Sequence, residues 1–400
     1  MVARSARMLA ESLCRAGIKA IVIDQFGDLD TRDYAARLSV VNELSADVVL
    51  AVVHALKSGK KPSVIYGSGV DNNPELLKQF ALDCHLLGNH AEVVGSVRDP
   101  RMFFSLLDRL DIVYPATCFY RPQGRRWLFK QTDTEGGLGI TPANLCDQAG
   151  ADESGYFQQQ LDGEPFSVLF LANGFDCCVI GLNSQWIVKQ NASRPYVFKG
   201  VINRFELSDD NLLLINKWIR RIVSVTGLRG LNSLDCLVVD NQIFVLELNP
   251  RPGASIALYD DVYPGGLVRQ HIASFGNGTL VNPIEPEHVS GSWIVFASDA
   301  WRIDALIKWP SWVVDRPVAG TVFRQGEPVC SVKATAGSVV QVQQQLIERC
   351  KMITQYLASL QPAGALNEQQ QSFNLIFQEK KDDNNSQRQH ACQAIGGVLD

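Results

Sequence analysis

The stretch LDCLVVDNQIFVLELNPRPGAS, residues 234–255, consists of two apolar β segments meeting at Asp240-Asn241 and ending in a Pro/Gly-rich run. Asp and Asn are turn residues, so the pattern predicts a hairpin closing at 240–241. That turn brings Asp235 and Glu247 close to facing each other across the hairpin. Strand side chains alternate, so Glu247 and Asn249 point to one face. Three oxygen-bearing side chains on a hairpin otherwise built from Val238, Val239, Phe244 and Val245 are costly without a partner. A hard cation accepts such ligands, and Mg²⁺ in particular binds one or two carboxylates together with substrate phosphates. The plain alternative is that Asp235 caps its strand and Glu247 pairs with an arginine.

Upstream, WLFKQTDTEGGLGI (127–140) ends a strand on Lys130 and continues into a Gly-rich loop, Glu135-Gly136-Gly137-Leu138-Gly139. Unblocked backbone N–H groups beside a point charge can hold phosphates. A hairpin turn with a surface lysine would read the same way. YFQQQLDGEPFSVLFL (156–171) is an extended segment, an Asp-Gly turn at 162–163 and an apolar strand.

In the first hundred residues the texture is different. A helix over 6–16, an apolar strand KAIVID (19–24), a helix over 45–59, a strand over 62–69 and helices over 74–89 and 99–111 alternate. This alternation indicates a doubly wound α/β layer over residues 1–96. No strand is legible before residue 6, and DQFGDLDTRD after KAIVID reads as a loop. Asp24, Asp28 and Asp30 lie where an open α/β sheet places ligands, so they are candidates for recognising a substrate amine or are simply solvated. Beyond 127, the segments WLFKQ, GYFQQQL, FSVLFLAN, CCVIGL and QWIVKQ read as β, with a helix over 209–226. Residues 291–342 are again β-like, and 341–360 form a closing helix. From 361 onward the chain is polar and Gln/Asn-rich, which reads as a disordered tail.

Composition narrows the class. The 400 residues carry 37 Lys plus Arg against 42 Asp plus Glu, a net charge of −5. A mildly acidic chain without a basic run argues against nucleic acid as a partner. No apolar stretch approaches the roughly 18–20 residues that cross a bilayer, and Glu11 and Arg15 interrupt any signal-peptide core. The ten cysteines follow no metal-binding or disulfide pattern. They read as buried thiols in a reducing cytoplasm. His54, His85 and His90 read as surface residues, Arg125-Arg126 as a solvated turn, and Trp293, Trp301, Trp309 and Trp312 as filling of a small core.

Taken together and in this order, the Lys130 strand with its Gly-rich loop, the segment Gln158 to Gly163 and the Asp235…Glu247-Leu248-Asn249-Pro250-Arg251 cluster resemble the ATP-grasp superfamily over roughly residues 97–260. The resemblance implies an N-terminal α/β layer (1–96), a two-lobed, α+β nucleotide-binding domain (97–290), a small β-rich C-terminal domain with its closing helix (291–360) and the tail (361–400). It further implies that Lys130 and the loop glycines Gly136, Gly137 and Gly139 contact the phosphates of ATP. Gln158, Gln159, Gln160 and Leu161 would form the adenine hinge, with Leu161 N–H and Gln159 C=O facing the base. Asp235, Glu247 and Asn249 would hold one or two Mg²⁺, or Mn²⁺ in its place, and Arg251 would sit near the γ-phosphate. Two positions depart from the family's pattern: the hinge acid is Gln158, and the ribose-binding carboxylate falls on Pro165 with Glu164 beside it. Arg194 and Lys199 are the candidates for a second phosphate-binding cation.

The segments DQFGDLDTR, YGSGVDNNPELL, LLGN, VRDPRMFF and WVVDRPVAGTVFRQGEPVCSVKA are similar to tyramine–glutamate ligase-like ATP-grasp proteins of methanofuran and tetrahydromethanopterin assembly. The implied activity is carboxylate–amine ligation through an acyl phosphate, on small-molecule substrates, with Lys130 and Arg251 in catalytic positions and no bar to an oligomer. Carboxylation or phosphorylation on the same nucleotide site, and a non-catalytic nucleotide-binding module, remain as alternatives at this stage.

Overall fold

The computed structural model describes residues 1–56, 59, 61–124, 126–146, 155–305 and 307–360. Strands Val2–Ala3, Ile21–Asp24 and Arg37–Val40 pair in parallel. Ser63–Val64 and His85–Leu86 form a second parallel pair, and a bridge from Val2 to Tyr66 joins the two. Parallel neighbours need crossovers, here provided by the helices Arg7–Arg15, Leu29–Tyr34 and Pro74–Asp83, while Ala46–Leu56 connects the two groups of strands. Alternate strand residues face opposite sides: Ile23 and Val64 pack with Val49, Leu76 and Phe80, whereas Val22 packs with Ala6 and Ala10. The layer is therefore covered by helices on both faces, as the alternation predicted.

Four details of that layer were not legible, the first being that the helix expected over 74–89 stops at Asp83 and His85–Leu86 is a strand. A strand does precede the first helix, but at Val2–Ala3 it is only two residues long. The stretch after Asp24 is not all loop, because Leu29–Tyr34 forms a short helix. A further helix, Ala91–Arg98, precedes Pro100–Arg109. Asp99 separates these two by capping the second through the N–H of Met102 at 2.9 Å, which leaves Arg98 at the last position of the first.

The second half is built on two antiparallel sheets. The smaller has four strands, in the order Thr117–Cys118, Gly155–Gln159, Trp127–Gln131 and Ile140–Pro142. The larger has eight, in the order Gln242–Asn249, Arg229–Val239, Glu164–Asn173, Cys177–Val188, Val197–Ile202, Val289–Phe296, Pro328–Ala336 and Val313–Val314. CCVIGL and QWIVKQ, read as two strands, are one continuous strand, Cys177–Val188. The helix Asp209–Thr226 matches its predicted span. Ser208 caps its start, and Gly227 ends it in the left-handed region at φ 75°. Ile215, Trp218, Ile219 and Ile222 pack it against Phe166, Val168 and Phe170 of the large sheet.

Within residues 289–336, Val289–Phe296, Val313–Val314 and Pro328–Ala336 extend the large sheet beyond Val197–Ile202, while Trp301–Arg302 and Val322–Phe323 pair as a small two-stranded sheet of their own. Their core is nevertheless separate, with Trp293, Trp301 and Val332 packed under Val342, Leu346 and Ile353 of the helix Val339–Ser359. The expected tail over 361–400 lies outside the described residues. Among the described residues no helix is long and apolar enough to cross a membrane.

Candidate nucleotide site

The hairpin forms as its turn residues require. Asp240 and Asn241 both take positive φ, 46° and 62°, the conformation of a tight primed turn. The register then pairs Asp235 directly with Glu247. A bulge between Asp235 and Cys236 shifts the pairing just beyond them. Asn249 lies on the same face and donates from Nδ2 to Asp235 Oδ2 at 3.2 Å and to Glu247 Oε1 at 3.4 Å.

These side chains floor a cleft of about 370 Å³ between the two sheets. Lys130 and the loop residues Gly136 and Gly137 line one wall, and Gln158, Gln159, Gln160 and Leu161 line its inner edge. Arg251 closes the end next to the N-terminal layer. Gly136 and Gly137 have φ 64° and 74°, and a Cβ on Gly137 would run into the Tyr196 carbonyl, so this loop depends on glycine. Gln158 is fully buried and donates to Thr117 Oγ1 at 3.2 Å.

Three of the sequence expectations fall away from the cleft. Gly139 packs against Thr134 of its own loop and is not a lining residue. Glu164 is exposed outside the cleft, and Pro165 lines it instead. Neither Arg194 nor Lys199 reaches the cavity: Lys199 Nζ sits 4.6 Å over the Trp293 ring, and Arg194 is held in a turn by Asn191. Arg98 is the second cation on the lining, a role the sequence reading missed. Its position directly before the helix-starting Asp99-Pro100 pair was the available signal. Gln185, whose Nε2 donates to Asp235 Oδ1 at 3.1 Å, was also missed.

The electrostatics follow from crowding of like charges. Burial and the neighbouring Glu247 raise the Asp235 carboxyl well above its ordinary value. Burial acts on Glu247 in the same direction, but Arg98, a hydrogen bond from Asp235 and Lys130 outweigh it and hold Glu247 low. A proton on this pair is therefore held more readily at Asp235 than at Glu247. Glu247 lines the cleft and is exposed to it. Burial lowers the Lys130 ammonium, partly offset by Glu247 and Asp235. The donor set of two carboxylates and one side-chain amide fits a hard divalent cation. Among the described residues no group of three or more His, Cys, Asp or Glu side chains offers an alternative.

Arg251 is held from both sides. Its Nε lies 3.0 Å from Asp71 Oδ1 and its Nη2 3.1 Å from Glu135 Oε1. These carboxylates overcome the effect of burial and raise its pKa. Asp71 also stands 3.8 Å from Arg98 Nε.

The candidate aspartates at the end of the N-terminal sheet are not solvated. Asp24 accepts from the N–H groups of Ala6, Phe26 and Gly27 at 2.5–2.7 Å. Asp30 accepts from those of Asp315 and Arg316. Both are therefore occupied in holding loops, while Asp28 is buried among them. Cys236, beside Asp235, is buried and its thiol is pushed well up, which removes it as a nucleophile.

Residues 98–255 match the family model described as the ATP-grasp domain. An uncharacterized protein of Methanocaldococcus jannaschii is 25% identical over 181 residues, a match covering 44% of this chain and 41% of that relative's length. Among solved structures, biotin carboxylase of Campylobacter jejuni in its β-γ-ATP complex superposes with a TM-score of 0.69 at 12% identity, over 86% of this chain and 89% of that one. The L-amino acid ligase of Bacillus licheniformis gives 0.64 at 14% identity, over 87% and 95%. The match to the ATP-grasp domain covers the Arg98-to-Ser255 span that builds the cleft.

Proposed function

We propose that the chain is an ATP-dependent carboxylate–amine ligase. The observation that carries this reading is the convergence of Lys130, the Gly136-Gly137 loop, the Asp235/Glu247/Asn249 set and Arg251 on one cleft. In the reaction, a substrate carboxylate oxygen takes the γ-phosphoryl group of ATP and ADP leaves. The amine nitrogen then attacks the acyl carbon, phosphate departs, and the nitrogen loses a proton to give the amide.

The chain's own groups supply positioning and charge. The hinge Gln158–Leu161 offers backbone atoms to adenine, with Leu161 N–H and Gln159 C=O towards the base. Lys130 and Arg98 bring positive charge to the polyphosphate, and Arg251 brings it to the transferring phosphoryl group. Asp235, Glu247 and Asn249 would hold one or two Mg²⁺ or Mn²⁺ ions. Such an ion neutralises phosphate charge and fixes phosphate geometry. The sequence similarity described above extends the proposal to an acid and an amine of the kind joined in one-carbon cofactor assembly.

The test is ADP release from Mg-ATP in the presence of tyramine, glutamate and related amine–acid pairs. The expected result is release that requires an acid and is completed to an amide only when an amine is added. ADP release indifferent to every acid, or bound nucleotide without any turnover, would overturn the reading.

A further inference from the structure

Glu135 sits at the head of the Gly-rich loop and lines the cleft, and its carboxylate is engaged by a cluster of donors. Its Oε1 accepts from the Gly69 N–H at 2.9 Å and from Arg251 Nη2 at 3.1 Å. Its Oε2 lies 3.6 Å from Arg4 Nη1. Two guanidinium groups and a backbone N–H from three separate segments thus converge on one carboxylate, the geometry by which proteins bind small carboxylates.

The place is also informative. Arg4 follows the strand Val2–Ala3, and Gly69 lies in the loop after Ser63–Val64. Both are at the carboxyl ends of parallel strands, where open α/β sheets take their ligands. Gly69 has φ 86°, a backbone shape that favours glycine and aims this N–H. The third donor, Arg251, belongs to the metal hairpin, so a carboxylate at this spot lies against the group assigned to the transferring phosphoryl.

We propose that Arg4, the Gly69 N–H and Arg251 form the seat of the acid substrate's carboxylate, and that Glu135 occupies this seat as an internal stand-in. The inference rests on the ligase reading above and names where its acid binds. Exchange of Glu135 for the substrate replaces one carboxylate by another, so the two guanidinium groups are never left without a counter-charge. While Glu135 is seated, the apparent affinity for an external acid is lowered by the fraction of molecules with the seat open. The loop that contacts the phosphates therefore also governs entry of the acid.

The probe is L-glutamate, followed by thermal shift without nucleotide on the wild-type chain, Glu135→Ala, Glu135→Gln and the double variant Arg4→Ala/Glu135→Ala. The expected result is that Glu135→Ala binds glutamate about tenfold or more tightly than wild type. Glu135→Gln should fall between them, because its amide oxygen still accepts from Gly69 but carries no charge. Adding Arg4→Ala should cancel the gain. Equal affinity in wild type and Glu135→Ala, a gain that survives loss of Arg4, or no saturable shift in any of the four overturns the seat. The ligase reading is judged separately by ADP release from the wild-type chain, so the two can fail independently.

Discussion

Arg251 Nε lies 3.0 Å from Asp71 Oδ1, and this contact joins the N-terminal layer to the cleft. Asp71 is 3% exposed, and neither of its oxygens has an aligned hydrogen bond. Its carboxylate therefore acts on Arg251 and Arg98 as a charge held close by packing. Without it, two guanidinium groups at one end of the cleft would be balanced chiefly by Glu135 and Glu247.

Asp71→Asn is accordingly expected to destabilise the fold and misplace Arg251. Removing one partner of a buried ion pair commonly costs about 3–5 kcal/mol, and the remaining contact to Glu135 places this case at the lower end. Thermal denaturation measures the loss. The positioning role is tested by ADP formation at a temperature where the variant is folded: turnover should fall while the Mg-ATP thermal shift persists. Turnover equal to wild type under those conditions would leave Asp71 with a structural part alone.

Glu247→Gln keeps size and hydrogen bonding but removes one charge from the proposed cation site. ATP can still dock through Lys130 and the hinge. Losing one preorganised charge-stabilising group typically lowers rate by about 10²–10³. The expected outcome is near-retained nucleotide binding with ADP formation down by that order, whereas Asn249→Asp, which keeps an oxygen ligand, should retain more activity. Unchanged ADP release in Glu247→Gln would refute the metal assignment.

Lys130→Ala tests the phosphate wall. A ligand selective for the native state raises the melting temperature by mass action, so Mg-ATP should stabilise the wild-type chain. In the variant the shift should be substantially smaller. An identical shift would remove Lys130 from the phosphate contacts.

Asp28 predicts a pH dependence outside the cleft. Burial, with Asp315, Asp24 and Asp30 around it and Arg7 opposing, raises its carboxyl from 3.8 to about 8. Between those values the folded chain holds a proton that the unfolded chain has released. The stability this proton provides is complete below pH 3.8 and is lost as pH rises through 8, with a slope of up to about 1.4 kcal/mol per pH unit. Asp28→Asn mimics the protonated group and lacks that slope. Its melting temperature should therefore gain on wild type steadily from pH 5 to pH 8, and a constant difference across that range would contradict the assignment.

The sequence by itself determined whatever depends on near neighbours along the chain. Asp240 and Asn241 turn the hairpin, strand alternation puts Glu247 and Asn249 on one face, and together these pair Asp235 with Glu247. Ser208 and Gly227 bound a helix whose apolar period is visible in the letters. The Gly-rich loop after Lys130 and the alternation of the first layer are local in the same sense. Only the tertiary structure decided which distant groups join them. Arg98 replaces Arg194 and Lys199 at the cleft because Lys199 is drawn onto Trp293. Glu164 turns outward at the start of its strand, leaving Pro165 on the lining. Asp71, Glu135, Gly69 and Arg4 meet Arg251 only once the N-terminal layer packs on the hairpin end. Turn chemistry and side-chain alternation act over a few residues and leave a pattern in the sequence. Contacts between segments depend on how whole layers pack, and residue type and spacing carry no record of that.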